Sequence, residues 1–430
     1  MDASKANNVI VFLSGSAGEL DWMLPILDAL LKKGFLLKIV FLSKHCKQSV
    51  ENNQMLFEFL HKDEEKIRVF FIGGYFFEKI EHLGYLSYRA YLRFELGKKS
   101  LLGFIYRVYE KVHELIFLNS LPHEILELKD NKNILFSEYP SLRRPRDKWL
   151  KLKFDKSIYF YCPHSPHIYA EELDRKYDEN ELNDFSKFNF LLLGHPADYF
   201  FISDGEELAK DSLEKLYIGH PKYSQEWLKE LQNKSINFRS TLSHRDSVNI
   251  LVLSRGYGSY IDRESHKNLV QTTIENIHSS FSNYNLIVKK HPREVNSHWD
   301  NLTNDFPSIY IKDEHIMRLA TEADFVISFW SSGAMDCFLL NVPVIEYFDP
   351  IKHPKQQVSE GNSYTTIYRK LKIVSSASNS NELKDKISDL VKSDYKISSN
   401  DQHPHYKALI NRSDSWKEKF EKVLSSHGYI

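Results

Sequence analysis

Apolar residues fall into short runs separated by helical stripes. Val9–Leu13 is a continuous apolar run of strand length. A helical pattern follows from Trp22 to Lys33, with Leu24, Leu27, Leu30 and Leu31 on one face and Gly34 at its end, and then a second run, Phe35–Leu42. Strand, helix and strand in that order predict a βαβ opening, a parallel sheet and the α/β class. Ile67–Ile72, Ile134–Phe136, Ile158–Tyr161 and Tyr199–Ile202 predict further strands, and the Tyr-, Leu- and Lys-rich region Phe76–Lys129 reads as helical. The polar segment Gln232–Asn249 has little periodicity and marks a linker. The pattern then restarts with a strand at Ile250–Leu253 and a helix carrying Val270, Ile274, Ile277 and Phe281 on one stripe. Strands at Leu286–Val288, Ile309–Ile311, Phe325–Ile327, Val342–Ile345 and Ile373–Val374 complete it, and the tail Ser413–Ser425 is amphipathic through Trp416, Phe420, Val423 and Leu424. The expected organisation is two Rossmann-like domains, residues 1–232 and 245–410, with a C-terminal helix in 411–430.

A length of 430 residues, 42% hydrophobic and 27% charged, fits two globular domains. With 57 Lys and Arg against 58 Asp and Glu, no net field recruits nucleic acid, so anion recognition must be local. Cys46, Cys162 and Cys337 have no metal-like spacing and form no disulfide framework, which fits a reducing cytosol. No apolar window is long enough to span a membrane, and MDASKANN lacks the pattern of a signal peptide. The expectation is a cytoplasmic protein. Tyr75–Phe77 and Tyr85–Phe94 mix aromatic and basic residues, which suits core packing first and a peripheral contact with an acceptor or the inner membrane second.

Two stretches of the second half carry the chemistry. Within Ala323–Tyr347, Ser331, Ser332 and Gly333 stand between an apolar strand and an apolar helical stretch, where backbone N–H groups and hydroxyls at a helix N-terminus suit a phosphate. A serine pair can equally cap a core helix. In NLIVKKHPRE, a strand ends in Lys289, Lys290, His291, Pro292 and Arg293. Open parallel sheets bind ligands at the carboxyl ends of their strands. In the first half, Gly15, Ser16 and Gly18 follow the first strand, but the third glycine of a dinucleotide fingerprint is missing. That loop either lets a sugar or acceptor approach or simply makes the turn. Glu138 stands at a strand end before Arg143, Arg144 and Arg146, and His164 and His167 lie in the proline-rich CPHSPH.

Two Rossmann-like halves with a nucleotide site in the second resemble the GT-B glycosyltransferase fold, whose domains face across a cleft and whose last helix packs back across them. KKHPRE resembles the HP motif, and SFWSSGAMD the SS motif, of bacterial transferases using CMP-activated sugars, the sialyltransferases and Kdo transferases. RGYGSYIDRES falls where those families carry a functional aspartate, here Asp262; Arg263 follows it instead of the glycine common in sialyltransferases, which favours a Kdo-type sugar. The resemblance implies transfer of a CMP-linked 2-keto acid sugar to a bacterial surface glycan or glycolipid, at the cytoplasmic face of the inner membrane. It implies that Ser331, Ser332 and Gly333 bind the phosphate, that His291 protonates it as it leaves, that Lys290 and Arg293 supply positive field, and that Arg255 meets the sugar carboxylate. Asp262 would be base or nucleophile and Glu138 a second acid, with Gly15, Ser16, His164 and His167 on the acceptor side. No metal or other cofactor is expected, since Asp-x-Asp is absent. The alternatives are a UDP- or GDP-hexose or CDP-glycerol transferase, a UDP-sugar 2-epimerase-like enzyme, and a non-catalytic glycan-binding subunit.

Overall fold

A computed structural model describes residues 8–72, 108, 111–112, 115–138, 153–163, 185–196, 198, 213–233, 247–258, 261–291, 294, 297–300, 302, 306–352, 358–360, 363–397 and 402–430. The first half is built on β1 (Asn8–Leu13), β2 (Leu36–Phe41), β3 (Ile67–Phe71), β4 (Asn133–Ser137), β5 (Ile158–Tyr161), β6 (Asn189–Leu193) and β7 (Glu214–Tyr217). These form one sheet in the order β3-β2-β1-β4-β5-β6-β7, with every pair parallel. β1 is buried along its whole length, as expected of a central strand covered on both faces. Helix α1 (Ala17–Lys32) links it to β2. Gly34, at φ +90, ends α1 by donating its N–H to Leu31 O while Phe35 N–H reaches Leu30 O, a Schellman closure that needs the left-handed conformation. Two short helices, α2 (Lys44–Glu51) and α3 (Gln54–His61), lead to β3, and α4 (His123–Leu126) precedes β4.

After β7, a single 3-10 turn (Pro221–Tyr223) and α5 (Gln225–Asn233) lead toward the second half. There β8 (Val248–Leu253), β9 (Tyr284–Lys289), β10 (Ile309–Ile311), β11 (Phe325–Ser328), β12 (Val344–Tyr347) and β15 (Ser375–Ala377) form a second all-parallel sheet, in the order β10-β9-β8-β11-β12-β15. A small antiparallel hairpin, β13 (Val358–Glu360) with β14 (Ser363–Thr365), is inserted before β15. The helices of this half are α6 (Arg263–Ser280), α7 (Ile316–Ala320), α8 (Gly333–Leu339), α9 (Ile367–Lys370) and α10 (Ser380–Lys392). The protein is therefore two parallel-sheet α/β, Rossmann-like units.

The chain then returns through α11 (Pro404–Asp414) and α12 (Trp416–Ser426). Phe420 of α12 lies 4.8 Å from Phe160 and 6.3 Å from Phe136, inside the core of the first half. Lys419 Nζ donates to Tyr217 O at 2.9 Å and Tyr429 Oη to Asn133 O at 2.8 Å. Burying an aromatic of this size contributes about 2–3 kcal/mol. The amphipathic tail thus packs back across the molecule as its stripe predicts.

Some expected elements shift. β6 and β7 occupy NFLLL and EKLY, neither of which was expected as a strand, while the expected strand Tyr199–Ile202 lies outside the described residues. β15 begins at Ser375, two residues beyond the expected Ile373, because Lys372 takes φ 56 and turns the chain just before it. Of Phe76–Lys129, residues 115–120 and α4 are helical, and 73–107 lie outside the described residues. Of the expected linker, α5 already covers Gln232 and β8 already covers Asn249.

Candidate functional site

In both sheets the strand order reverses direction once, between β1 and β4 in the first half and between β8 and β11 in the second. Connections leave to opposite sides of that point, so a crevice opens beyond the carboxyl ends of the two strands. In the second half, Leu253 pairs with both Lys289 and Ser328. β9, β8 and β11 therefore end at one level, and Lys290–His291, Ser254–Arg255 and Phe329–Ser331 leave the sheet side by side.

Trp330 adopts φ 58, a left-handed conformation costly for a bulky side chain, and its surroundings hold it there. The Arg255 guanidinium sits 4.3 Å from the indole centroid while its NH1 donates to Trp330 O at 3.0 Å, and Phe348 stacks 5.6 Å away at 19°. This turn brings Ser331 and Ser332 to the start of α8. Ser331 N–H donates to Ser328 Oγ at 3.0 Å, and Ser331 Oγ accepts from Gly333 N–H at 3.3 Å. At Gly333 a Cβ would run into Ile316 Cδ1 and press on Leu253, so a larger residue there would have to displace the Ile316 side chain. Tyr368 is buried, and burial holds its phenol well above the usual range.

Beyond β9, Lys289 Nζ donates to Asp313 O at 2.8 Å, and burial lowers its pKa. Lys290 pairs with Asp300 at 2.8 Å. His291 is half-buried; its N–H donates to Glu294 Oε2 at 3.2 Å and its carbonyl accepts from Glu294 N–H at 2.8 Å. The Glu294 carboxylate also accepts from Ser254 Oγ at 3.0 Å. Burial raises its pKa, against the pull of Ser297, His291 N–H and Ser254. Behind it, His266 is fully buried, with its Nδ1 2.8 Å from His298 Nδ1; burial and then His298 push its pKa down to about 4. Asp262 is exposed and caps α6, accepting from Ser265 N–H at 2.9 Å and Ser265 Oγ at 2.6 Å.

The crevice of the first half differs in charge. Ser14 N–H and Gly15 N–H both donate to the carboxylate of Glu19, at 2.8 and 2.6 Å, and Glu19 is 1% exposed. A Cβ on Gly15 would collide with Glu19 Oε1, so this glycine makes room for the folded-back acid. Ser16 is buried at the N-cap of α1 without a side-chain capping bond. Glu138 is 4% exposed just beyond β4. Burial, with Glu138 nearby, pushes the Cys162 thiol up to about 12. His164, His167 and Arg293 lie outside the described residues.

Between the halves runs a buried chain of charges. Lys222 Nζ, 2% exposed, meets Asp21 Oδ2 at 2.6 Å and Asp336 Oδ1 at 3.1 Å. His315 Nε2 lies 2.8 Å from Asp21 Oδ1 while its Nδ1 accepts from Met317 N–H, so the ring donates to Asp21 from Nε2. Burial works to raise Asp21, but Lys222 and His315 outweigh it and hold the carboxyl below the usual range. Asp336 is raised by burial, with Lys222 opposing. Arg318 adds a two-pronged pair with Glu58, at 2.6 and 3.3 Å. Since Asp336 sits on α8, the turn at Ser331–Gly333 is tied to the first half through one lysine.

Solved structures share this arrangement along the whole chain. The UDP-GlcNAc 2-epimerase of Methanocaldococcus jannaschii, in complex with UDP-GlcNAc and UDP, superposes with a TM-score of 0.53 at 12% identity, over 97% of this chain and 99% of that one. MnaA of S. aureus, solved with UDP, gives 0.55 at 11% identity, over 99% and 98%. The wall teichoic acid polymerase TagF gives 0.50 at 12% identity, over 98% and 89%. The fold is GT-B. No protein-family model matches the sequence, and no curated protein matches it at the sequence level.

On the GT-B frame, the residues singled out from sequence divide between the two crevices. Arg255, Lys290, His291, Ser331, Ser332 and Gly333 gather at the β9-β8-β11 edge, and Gly15, Ser16 and Glu138 at the β1-β4 edge. Asp262 is the cap of α6, the helix that follows β8. Sequence reasoning passed over Glu19, Glu294 and the Lys222 bridge. Glu19 carried one signal, an acid in the first turn of a helix after a glycine turn; Lys222 carried none, because its partners are distant in sequence. Among the described residues no cluster of His, Cys, Asp or Glu is arranged to hold a metal, and no helix is long and apolar enough to cross a membrane.

Proposed function

We propose that the protein is an enzyme acting on a nucleoside-diphosphate-activated substrate, a UDP-sugar or CDP-glycerol-like donor, with the nucleotide on the second half. One observation carries this: Arg255, His291 and Ser331–Gly333 leave three adjacent strands at one level, at the reversal point of a GT-B sheet. The likeness to structures solved with UDP-GlcNAc and UDP supports a diphosphate-linked donor over a CMP-linked one. The Ser331 and Ser332 hydroxyls face the phosphates, and Arg255 and Lys290 balance their charge. His291 donates to the leaving phosphate. Glu138, across the cleft on the first half, is the candidate base toward the acceptor or sugar.

The motifs KKHPRE and SFWSSGAMD favour a second reading, a CMP-activated 2-keto acid sugar transferred to a surface glycan. Calorimetric titration with UDP, CDP and CMP separates the two. Tighter binding of UDP or CDP than of CMP, weakened by Ser332→Ala, supports the first; selective CMP binding moves the assignment to the second. If none of the three binds, both fall and a glycan-binding subunit takes their place.

A further inference from the structure

We propose that Glu294, the last residue of KKHPRE, is a positioning residue that fixes His291 at the sheet edge. This rests on reading His291 as part of the donor site. A single residue grips His291 at both backbone groups: Glu294 Oε2 takes its N–H at 3.2 Å and Glu294 N–H takes its carbonyl at 2.8 Å. The carboxylate is then tied to the neighbouring strand end, because Oε1 accepts from Ser254 Oγ at 3.0 Å. Ser254 is held in turn, accepting from Trp299 Nε1 at 3.1 Å and donating its N–H to Lys289 O at 3.0 Å. Trp299 is fully buried in the core of the second half, so the chain Trp299–Ser254–Glu294–His291 runs from rigid core to candidate site.

Stability alone is a poor reason for this arrangement. The Glu294 side chain has no solvent exposure, and burying a carboxylate costs more than burying an apolar residue of the same size unless its oxygens are fully used. What the carboxylate adds is direction: two oxygens, one toward each strand end, set the distance between the residue after β8 and the second residue after β9. Among its charged and titratable neighbours, Lys290 favours the charged form. His266 Nε2 lies 3.7 Å from Oε1, in a ring that burial keeps neutral at physiological pH, and Lys290 is engaged by Asp300. The carboxylate therefore acts on the His291 N–H and the Ser254 hydroxyl, with Ser297 also drawing on it. A side chain held this way enters reaction without first having to be ordered.

The test has two readouts. Amide hydrogen exchange at His291, followed by NMR, should accelerate roughly 10- to 100-fold in Glu294→Gln, the factor expected when a hydrogen bond to a charged acceptor is lost. UDP affinity should fall about tenfold in Glu294→Gln, yet change less than twofold when the same substitution is made in His291→Ala, because the effect passes through His291. An equal loss in both backgrounds, or unchanged exchange at His291, overturns the proposal. Trp299→Phe and Ser254→Ala keep the carboxylate and loosen its anchor; both should shift exchange in the same direction by a smaller factor, and they carry the test if Glu294→Gln does not fold. Should the unaltered protein bind none of UDP, CDP and CMP, the nucleotide reading fails, and the positioning proposal stands or falls on exchange at His291 alone.

Discussion

Between β1 and β4 the N–H groups of Ser14 and Gly15 are taken by the Glu19 carboxylate, whereas between β8 and β11 the Ser331–Gly333 turn uses serine hydroxyls and has Arg255 beside it. Topologically the two crevices are equivalent. Electrostatically they differ, since the first holds its acid across the N–H groups of its turn, while the second has Arg255 beside its turn and keeps its acid, Glu294, buried between the ends of β8 and β9. A nucleotide phosphate would meet a carboxylate at the first turn and the Arg255 guanidinium beside the second. In the first half a single side chain of the first helix takes both N–H groups of the turn after β1. The first half keeps a different resource, the buried Glu138, at the same edge.

The largest effect should come from opening the closed crevice. Glu19→Ala removes a buried charged acceptor and strands two N–H groups, which should cost about 2–4 kcal/mol. For a unit of this size that lowers Tm by roughly 5–10 °C in thermal unfolding. The comparison sharpens with sulfate. If Glu19 stands where a phosphate otherwise would, millimolar sulfate should raise the Tm of Glu19→Ala more than that of the unaltered protein. Equal shifts would mean that the loop does not bind anions and that Glu19 serves only the turn.

Removing the cation of the open crevice should act on binding more than on folding. Arg255→Ala should weaken UDP about 30-fold by calorimetry, close to the loss of one charge-assisted contact. Arg255→Lys should recover only part of this, because an ammonium cannot both stack on Trp330 and reach its carbonyl in the planar geometry of a guanidinium. Full recovery by lysine would reduce the role of Arg255 to field alone.

The open crevice also carries a pH signature. His266 has its pKa depressed to about 4, so between there and its ordinary value the unfolded chain holds a proton that the folded one does not. Its contribution to stability is therefore full above about pH 6.5 and is lost as pH falls toward 4, by about 2 kcal/mol. Glu294, raised by burial, opposes it over part of that range. Urea midpoints at pH 4.5 and 7 should differ in this direction, and His266→Asn should flatten the difference. An unchanged slope in that variant would place the pH dependence elsewhere, with the Asp21–Lys222–Asp336 bridge the next group to examine.

How much of this could be read from sequence follows the range of the interactions involved. β1, α1 and β2 were legible because one apolar run, one stripe and Gly34 decide them locally. The KKHPRE and SFWSSG segments were legible because a strand end and its polar residues are contiguous. β6 and β7 were not, because NFLLL and EKLY are short and an apolar run of that length does not distinguish strand from helix. Glu19 looks in sequence like an ordinary first-turn acid; only the fold shows that it turns back onto Ser14 and Gly15. Lys222 reads as a surface lysine, yet it is enclosed by Asp21 and Asp336, residues more than 100 positions away. Its burial is a property of how the halves meet, which no local pattern encodes.

The smallest effect tests the catalytic candidate that serves as a helix cap. Asp262 accepts from Ser265 N–H and Ser265 Oγ at the start of α6, which is what a helix cap does. Asp262→Ala should therefore cost about 1 kcal/mol of stability. Asp262→Asn is the more informative variant, because asparagine caps a helix about as well as aspartate but cannot serve as a base or a nucleophile. If Asp262 only caps, Asp262→Asn should leave stability within about 0.5 kcal/mol and leave the rate of nucleotide release from the donor unchanged. A collapse of that rate with stability intact would instead make α6 a third functional element. The reacting centre would then extend past the β8–β11 crevice, toward the N-terminus of the helix that follows β8.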